Sequence, residues 1–297
     1  MHSRRFGFSL GVDLSPNKKQ CNFDCLYCEL EPAKTLDSYD EVANPKEIAK
    51  QVEESLKKHK NIDVITITAN GEPTLYPYLK ELIVLINEFK ADVQTLILSN
   101  GSTIYNPDVQ DALMLFDNVK LSLDCVTERC FKRLDRAHDT VDLEKIKKSM
   151  QSFSKKFQSS LFIEILFVET LNDSDEEIEK LNSYLKTINA TRVDIGTIDR
   201  PPAYKAKSVS YVKLLEIARK FDTDINVHIA SRHKGEKIEQ SYSDEEILQT
   251  LSKRPLTEGD IETLFDAESK ARLGALVQKN VIYINSDDKV HFYCLKS

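Results

Sequence analysis

The sequence predicts an α/β fold: a partial (β/α)6 barrel followed by a small C-terminal winged helix-turn-helix domain. Three observations predict it. Short apolar runs of strand type alternate with amphipathic stretches of helical period from residue 6 to about residue 229. Strict alternation of this kind gives a parallel sheet with helices outside it. A polar, acidic segment then interrupts the pattern, and three helical stretches and a hairpin follow. The expected domains are therefore 1–233 for the barrel, 234–242 for a linker and 243–297 for the winged helix.

Each element has its own signal. Phe6, Phe8, Leu10, Val12 and Leu14 alternate with smaller or polar residues, a strand that ends before the Ser15-Pro16-Asn17 loop. Residues 45–60 carry Ile48, Val52 and Leu56 at helical spacing. Strand-like Val64 to Thr68 precedes a helix over 77–90. Leu96 to Leu98 is a strand before a helical stretch at 107–116, and Val119 to Leu123 a strand before a helix over 142–157. Leu161 to Val168 is a long apolar strand. Ser174 then opens a helix with Glu177 three residues on, the spacing of a capping box. Arg192 to Ile198 is the sixth strand, ending at Arg200-Pro201-Pro202, with a helix near 209–220 and a short apolar stretch at 225–229 beyond it. In the C-terminal part, residues 243–251 read as a helix, Arg254 to Thr257 as a turn with Thr257 as N-cap, and 258–265 and 267–279 as helices. Val281–Ile284 and Val290–Tyr293 pair as a hairpin.

Composition narrows the functions. At 297 residues, with 41% hydrophobic and 30% charged residues, the chain has the balance of a soluble globular protein. No apolar run is long enough to cross a bilayer and no signal-peptide core follows Met1, so a cytoplasmic location with no membrane partner is expected. A net charge of −7 argues against a general nucleic-acid coat. Residues 241–297 hold 7 Lys and Arg against 10 Asp and Glu, whereas DNA readers usually show a basic face. Arg4, Arg5, Lys18 and Lys19 form the one local basic group near the start, readable either as a patch or as solvated loop charges.

The cysteines carry the sharpest signal. Cys21, Cys25 and Cys28 lie within eight residues, on the loop after the first strand. Such crowding points to a metal or redox centre. Three thiolates make a poor structural zinc site, which wants four closed ligands, and iron–sulfur clusters also normally take four cysteines. A three-cysteine cluster leaves one iron open for a substrate or cofactor. Zinc completed by a distant residue is the competing reading. Cys125, Cys130 and Cys294 read as small buried hydrophobes, with the first two placed near the site if the strands run as expected. In parallel α/β folds the site forms at the C-terminal strand ends. The cysteine loop, Asn70-Gly71-Glu72-Pro73, Ser99-Asn100-Gly101 and Ser122-Leu123-Asp124 all fall at such ends.

On these residues the chain resembles the radical S-adenosylmethionine (SAM) superfamily. Cys-x3-Cys-x2-Cys follows the first strand, and Asn70-Gly71-Glu72-Pro73 stands where that family carries Gly-Gly-Glu-Pro, with Asn70 replacing the first glycine. The similarity extends over roughly residues 3–230. It implies a [4Fe–4S] cluster held by Cys21, Cys25 and Cys28, whose fourth iron chelates the amino and carboxylate groups of SAM. It implies that Tyr27 touches the adenine region, that Gly71 and Glu72 hold the methionyl ammonium, and that Ser122, with Asn100 nearby, meets the ribose or carboxylate side. The family's adenine-contacting pattern on the fifth strand has no counterpart in Leu161–Val168. Reductive cleavage of SAM to a 5′-deoxyadenosyl radical, fed by a flavodoxin- or ferredoxin-like donor, is the implied activity.

Ser3 to Gly7, Ser9 to Gly11 and Thr197 to Pro202 are similar to a narrower group that includes the enzymes forming the wyosine-type base in tRNA. A tRNA substrate follows as the first expectation, with Arg4, Arg5 and Arg200 read as anion-binding or as structural. A peptide or protein read by the winged helix is the second, and a non-enzymatic iron–sulfur regulator the third.

Overall fold

Strands in this chain are written as alternating pairs of residues, and the two sets part company in the sheet. The computed structural model describes residues 2–3, 6–229, 241–253, 255–258, 261–262, 265–287 and 290–296. Seven strands run parallel, each bonded to the next in sequence: β1 (Gly7–Asp13), β2 (Val64–Thr68), β3 (Gln94–Ser99), β4 (Asn118–Ser122), β5 (Ser160–Phe167), β6 (Arg192–Thr197) and β7 (Val227–Ile229). Register pairs Ile65 with Leu10 and Thr95, Leu121 with Ser99 and Ile163, and Ile163 with Val193. One face thus carries Ile65, Ile67, Ile97, Val119, Leu121, Ile163, Ile165, Val193 and Ile195, all fully buried in the core. The opposite face carries Lys120, Ser122, Glu164, Arg192, Asp194 and His228. The apolar 225–229 stretch supplies a seventh strand, one more than the six strand–helix units that the sequence pattern predicts.

The helices between the strands are α1 (Pro45–Lys58), α2 (Leu79–Phe89), α3 (Pro107–Leu113), α4 (Glu128–Leu134), α5 (Leu143–Lys156), α6 (Asp175–Leu185) and α7 (Tyr211–Ala218). Six of them open on a side-chain cap, from Asn44, Asn106, Thr127, Asp142, Ser174 and Ser210, which accepts one of the otherwise orphaned first N–H groups. The Leu82, Ile83 and Ile86 stripe of α2 and Ile146, Met150 and Phe153 of α5 share the core with the apolar sheet face. Burying each such side chain contributes about 1.5–3 kcal/mol relative to exposure.

Two local readings change. Glu177 does not turn back to its own cap to complete a box. Its carboxylate accepts from Val126 N at 2.7 Å, Thr127 N at 3.2 Å and Thr127 Oγ1 at 2.6 Å, so it secures the start of α4 from a different helix. Helix α4 itself, seven residues long, has too short a period to stand out in the sequence.

The chain divides into two compact units, Phe8–Ser231 and Met1–Gly7 with Arg232–Ser297. The described part of the 232–297 segment holds α8 (Asp244–Lys253), β8 (Leu256–Thr257), α9 (Ala267–Gln278), β9 (Ile282–Asp287) and β10 (Val290–Leu295). Its three strands form an antiparallel sheet in the order β9-β10-β8, over a core of Ile247, Leu251, Leu256, Phe265, Leu273 and Ile282. Leu256–Thr257, expected as a turn, is a strand paired with Tyr293 and Phe292. Most of the expected 234–242 linker, Arg4, Arg5, Arg254 and much of the 258–265 helix lie outside the described residues. Among the described residues no helix is long and apolar enough to cross a membrane.

Candidate functional site

The three-cysteine loop begins where the backbone leaves the sheet. Gln20 forms a parallel bridge with Gly71: Gln20 N donates to Asn70 O at 2.8 Å and Glu72 N to Gln20 O at 2.9 Å. The two backbones approach so closely that a Cβ on Gly71 would stand 1.9 Å from the Gln20 carbonyl oxygen, at φ +145°. Only glycine fits there. Cys21 therefore starts from a fixed point at the C-terminal end of β2.

The rest of the loop is stitched to α4. Asp24 N donates to Asp135 O at 3.1 Å, Leu26 N to Leu134 O at 2.9 Å, and His138 N to Asn22 O at 2.7 Å. Phe23 meets Phe131 edge to face at 5.4 Å. The Cys25 thiol points at Asp135 Oδ1 at 3.9 Å, and the Tyr27 hydroxyl donates to Asp124 Oδ2. Cys21 Sγ accepts from Phe23 N at 3.4 Å and faces Asn100 Nδ2 at 3.8 Å. Asn100 also donates to Asn22 Oδ1 at 2.9 Å, so the end of β3 is tied to the same loop. Tyr27, Asn100, Ser122, Asp124 and Asp135 line one small cavity beside it.

Glu72 is buried and its carboxylate is crowded with donors. Oε1 accepts from Thr74 N at 2.9 Å, Thr74 Oγ1 at 2.6 Å and Ser99 Oγ at 2.7 Å; Oε2 accepts from Asn100 N at 2.6 Å. Burial pushes its titration up against the pull of these donors. Burial also pushes the Cys21 thiol up to about 12, with the Glu72 charge adding to it, and holds Cys25 well above the ordinary thiol value beside Asp135. Both are thiols in the cluster-free protein, so metal binding must release their protons.

The donor set fits an iron–sulfur cluster better than one zinc ion. Cys21, Cys25 and Cys28 are free and half-buried. Among the described residues, the one trio of Cys, His, Asp or Glu ligand atoms within 4.8 Å of one another is Cys125, Cys130 and Glu177. The loop sulfurs are thus spread wider than a single tetrahedral ion gathers them, as ligands to separate irons are.

Sequence pattern alone misses several residues here. Cys125 and Cys130 are not separate small hydrophobes: they form a disulfide, whereas Cys294 is a free buried thiol. Asp135 carries no motif, and only the chain's return through α4 brings it to Cys25. The Tyr39 hydroxyl is buried with no hydrogen-bond partner among the described residues, and burial followed by the Glu72 and Cys21 charges pushes its titration up. Arg200 is engaged by Glu29, beside Cys28, at 2.9 Å; Lys18 pairs with Asp40 and Glu41, and Lys19 with Asp24.

A parallel sheet whose C-terminal strand ends hold a three-cysteine loop, a buried Glu and a small adjoining cavity is the architecture of a cluster-dependent barrel enzyme. The chain belongs to the radical SAM superfamily, whose family model matches residues 19–181. It is an enzyme of that superfamily, whose members bind a [4Fe–4S] cluster and SAM, and its parallel sheet is that of a partial barrel. A UPF0026 protein of Helicobacter pylori strain J99 is 42% identical over 294 residues, covering 98% of this chain and 95% of the relative. The UPF0026 protein MJ1312 of Methanocaldococcus jannaschii is 31% identical over 273 residues, covering 89% and 84%. Among solved structures, TYW1 with a lysine-pyruvate adduct bound superposes with a TM-score of 0.53 at 18% identity, covering 71% of this chain and 72% of that one, a likeness of fold.

Proposed function

We propose that this chain holds a [4Fe–4S] cluster through Cys21, Cys25 and Cys28 and modifies a base in tRNA by radical chemistry. The observation that carries the reading is the loop's fixed start: Gln20 locked on Gly71, with Asn100 and Asp135 closing on Cys21 and Cys25. When bound, the cluster and SAM supply a 5′-deoxyadenosyl radical that takes hydrogen from the substrate. The chain's residues orient these partners. The Gly71 carbonyl and Glu72 Oε2, which takes one donor against three on Oε1, receive the methionyl ammonium. Tyr27, fixed by Asp124, meets the adenine region. Ser122 and Asn100 face the ribose and carboxylate side from the cavity wall, and the partnerless Tyr39 hydroxyl stands ready to donate nearby. A flavodoxin- or ferredoxin-like protein in the cytoplasm delivers the electron.

Anaerobic reduction of cluster-loaded protein with SAM should release methionine and 5′-deoxyadenosine, and Cys25→Ala should abolish both. A loss-of-function strain should lack one modified nucleoside by mass spectrometry. A full cluster that never yields these products would leave the iron–sulfur regulator reading instead.

A second reading has one observation in its favour. In the C-terminal unit, which we take as a winged helix, β9 is an edge strand among the described residues, and its Tyr283 and Ile284 are 45% and 46% exposed. An exposed edge can add an extended peptide as a further strand. An unchanged nucleoside profile, together with a peptide protecting β9 amides from exchange, would move the assignment to a peptide substrate.

A further inference from the structure

We propose that Cys125 and Cys130 form a redox modification site that takes a dithiol reductant and controls how firmly the three-cysteine loop is held. Four observations place it. The two sulfurs are bonded, whereas Cys21, Cys25, Cys28 and Cys294 are free thiols. The bridge closes only a five-residue separation, so it constrains the unfolded chain little and its effect is local. That local segment is the one gripping the loop: Asp124 precedes Cys125 and accepts from Tyr27, while Leu134 and Asp135, at the end of the helix that carries Cys130, accept from Leu26 N, Asp24 N and the Cys25 thiol. Finally, a Glu177 oxygen lies within 4.8 Å of both sulfurs and is bonded to the N–H groups of Val126 and Thr127 between them.

The chemistry balances with a dithiol as co-reactant. Its thiolate attacks Cys130 Sγ, on the less buried of the two residues, 5% exposed against 1% for Cys125. The Cys125–Cys130 bond breaks and Cys125 leaves as a thiolate. The second thiol of the reductant then attacks the mixed disulfide, freeing Cys130, and departs as an intramolecular disulfide. The two protons lost by the reductant end on Cys125 and Cys130, where the neighbouring Glu177 carboxylate can accept a hydrogen bond from either new thiol. Both sulfurs are buried, so reduction proceeds through local opening of the short helix α4. With the covalent tie cut, the helix and its contacts to the loop are held by hydrogen bonds and side-chain packing, the Phe23–Phe131 contact among them.

The test uses the whole protein, cluster-free and cluster-loaded, in oxygen-free buffers poised with oxidised and reduced dithiothreitol. Differential alkylation read by mass spectrometry should show Cys125 and Cys130 changing state together as a two-electron couple. Hydrogen exchange in residues 21–28 of the cluster-free protein should speed at least tenfold on reduction. Cys125→Ala/Cys130→Ala should show the fast exchange under both conditions. Thiols that stay unpaired in oxidising buffer, or reduction that leaves loop exchange unchanged in the wild type, overturn the proposal. Neither result depends on SAM cleavage, so the proposal fails separately from the enzymatic reading.

Discussion

Gly71 has no space for a side chain, because the carbonyl of Gln20 occupies it. Gly71→Ala should destabilise the protein by about 3 kcal/mol or more, through strain at positive φ and displacement of the bridge. Thermal melts should show the loss, and iron uptake should fall with it; a variant of unchanged melting temperature would mean that the bridge yields freely. Asp124 offers a test in pH. Burial pushes its carboxyl up to about 7, and nearby Glu164 adds to this, while the Leu166 N–H and the Tyr27 hydroxyl pull it down. Asp135 is raised as well, by burial and by Asp124. A folded-state value above the unfolded one means that the folded chain holds the extra proton. That stability is complete at low pH and is lost as pH rises towards 7. Denaturant melts of the cluster-free protein should therefore weaken from about pH 4 to 7, and Asp124→Asn should flatten that part of the profile.

At the scale of elements, β4, β5 and β6 place a charged group on the sheet face turned away from the helices. Lys120 Nζ lies 2.6 Å from Glu164 and 3.4 Å from Asp194, and Arg192 Nε lies 2.8 Å from Asp194. Lys120 and Asp194 are buried, so removing one partner leaves charge poorly compensated. Lys120→Met should cost about 3 kcal/mol. The double variant with Asp194→Asn should lose less than the sum of the two single variants, and strict additivity in denaturant melts would show the two charges to be uncoupled. The strands and their order were legible in the sequence because apolar runs and turn residues repeat at regular intervals. The cysteine loop was legible because its three thiols are local in sequence. Asp135 and Tyr39 were not, since each gains its meaning from surroundings that only tertiary folding supplies, and the Cys125–Cys130 bond was not, since the turn into α4 has to bring the two sulfurs together. Leu256–Thr257 was misread for a similar reason: two residues beside Pro255 look like a turn until β10 lies alongside them.

For the molecule as a whole, two separate apolar cores imply two separately damageable units. Phe265 is fully buried in the smaller core. Phe265→Ala should cost about 3–5 kcal/mol there. Hydrogen exchange should then rise in α8 and α9 while the β2 to β5 amides keep their protection; loss of protection across both would show one cooperative block. The larger sheet has a more general consequence. Neighbouring residues of a strand serve opposite sides, so a substitution at Lys120, Glu164 or Arg192 leaves the helix-facing Val119, Ile163 and Val193 where they were. Descendants of this scaffold can thus acquire a different molecular preference on the polar side without repacking the apolar interior, provided that the coupled buried charges change in pairs.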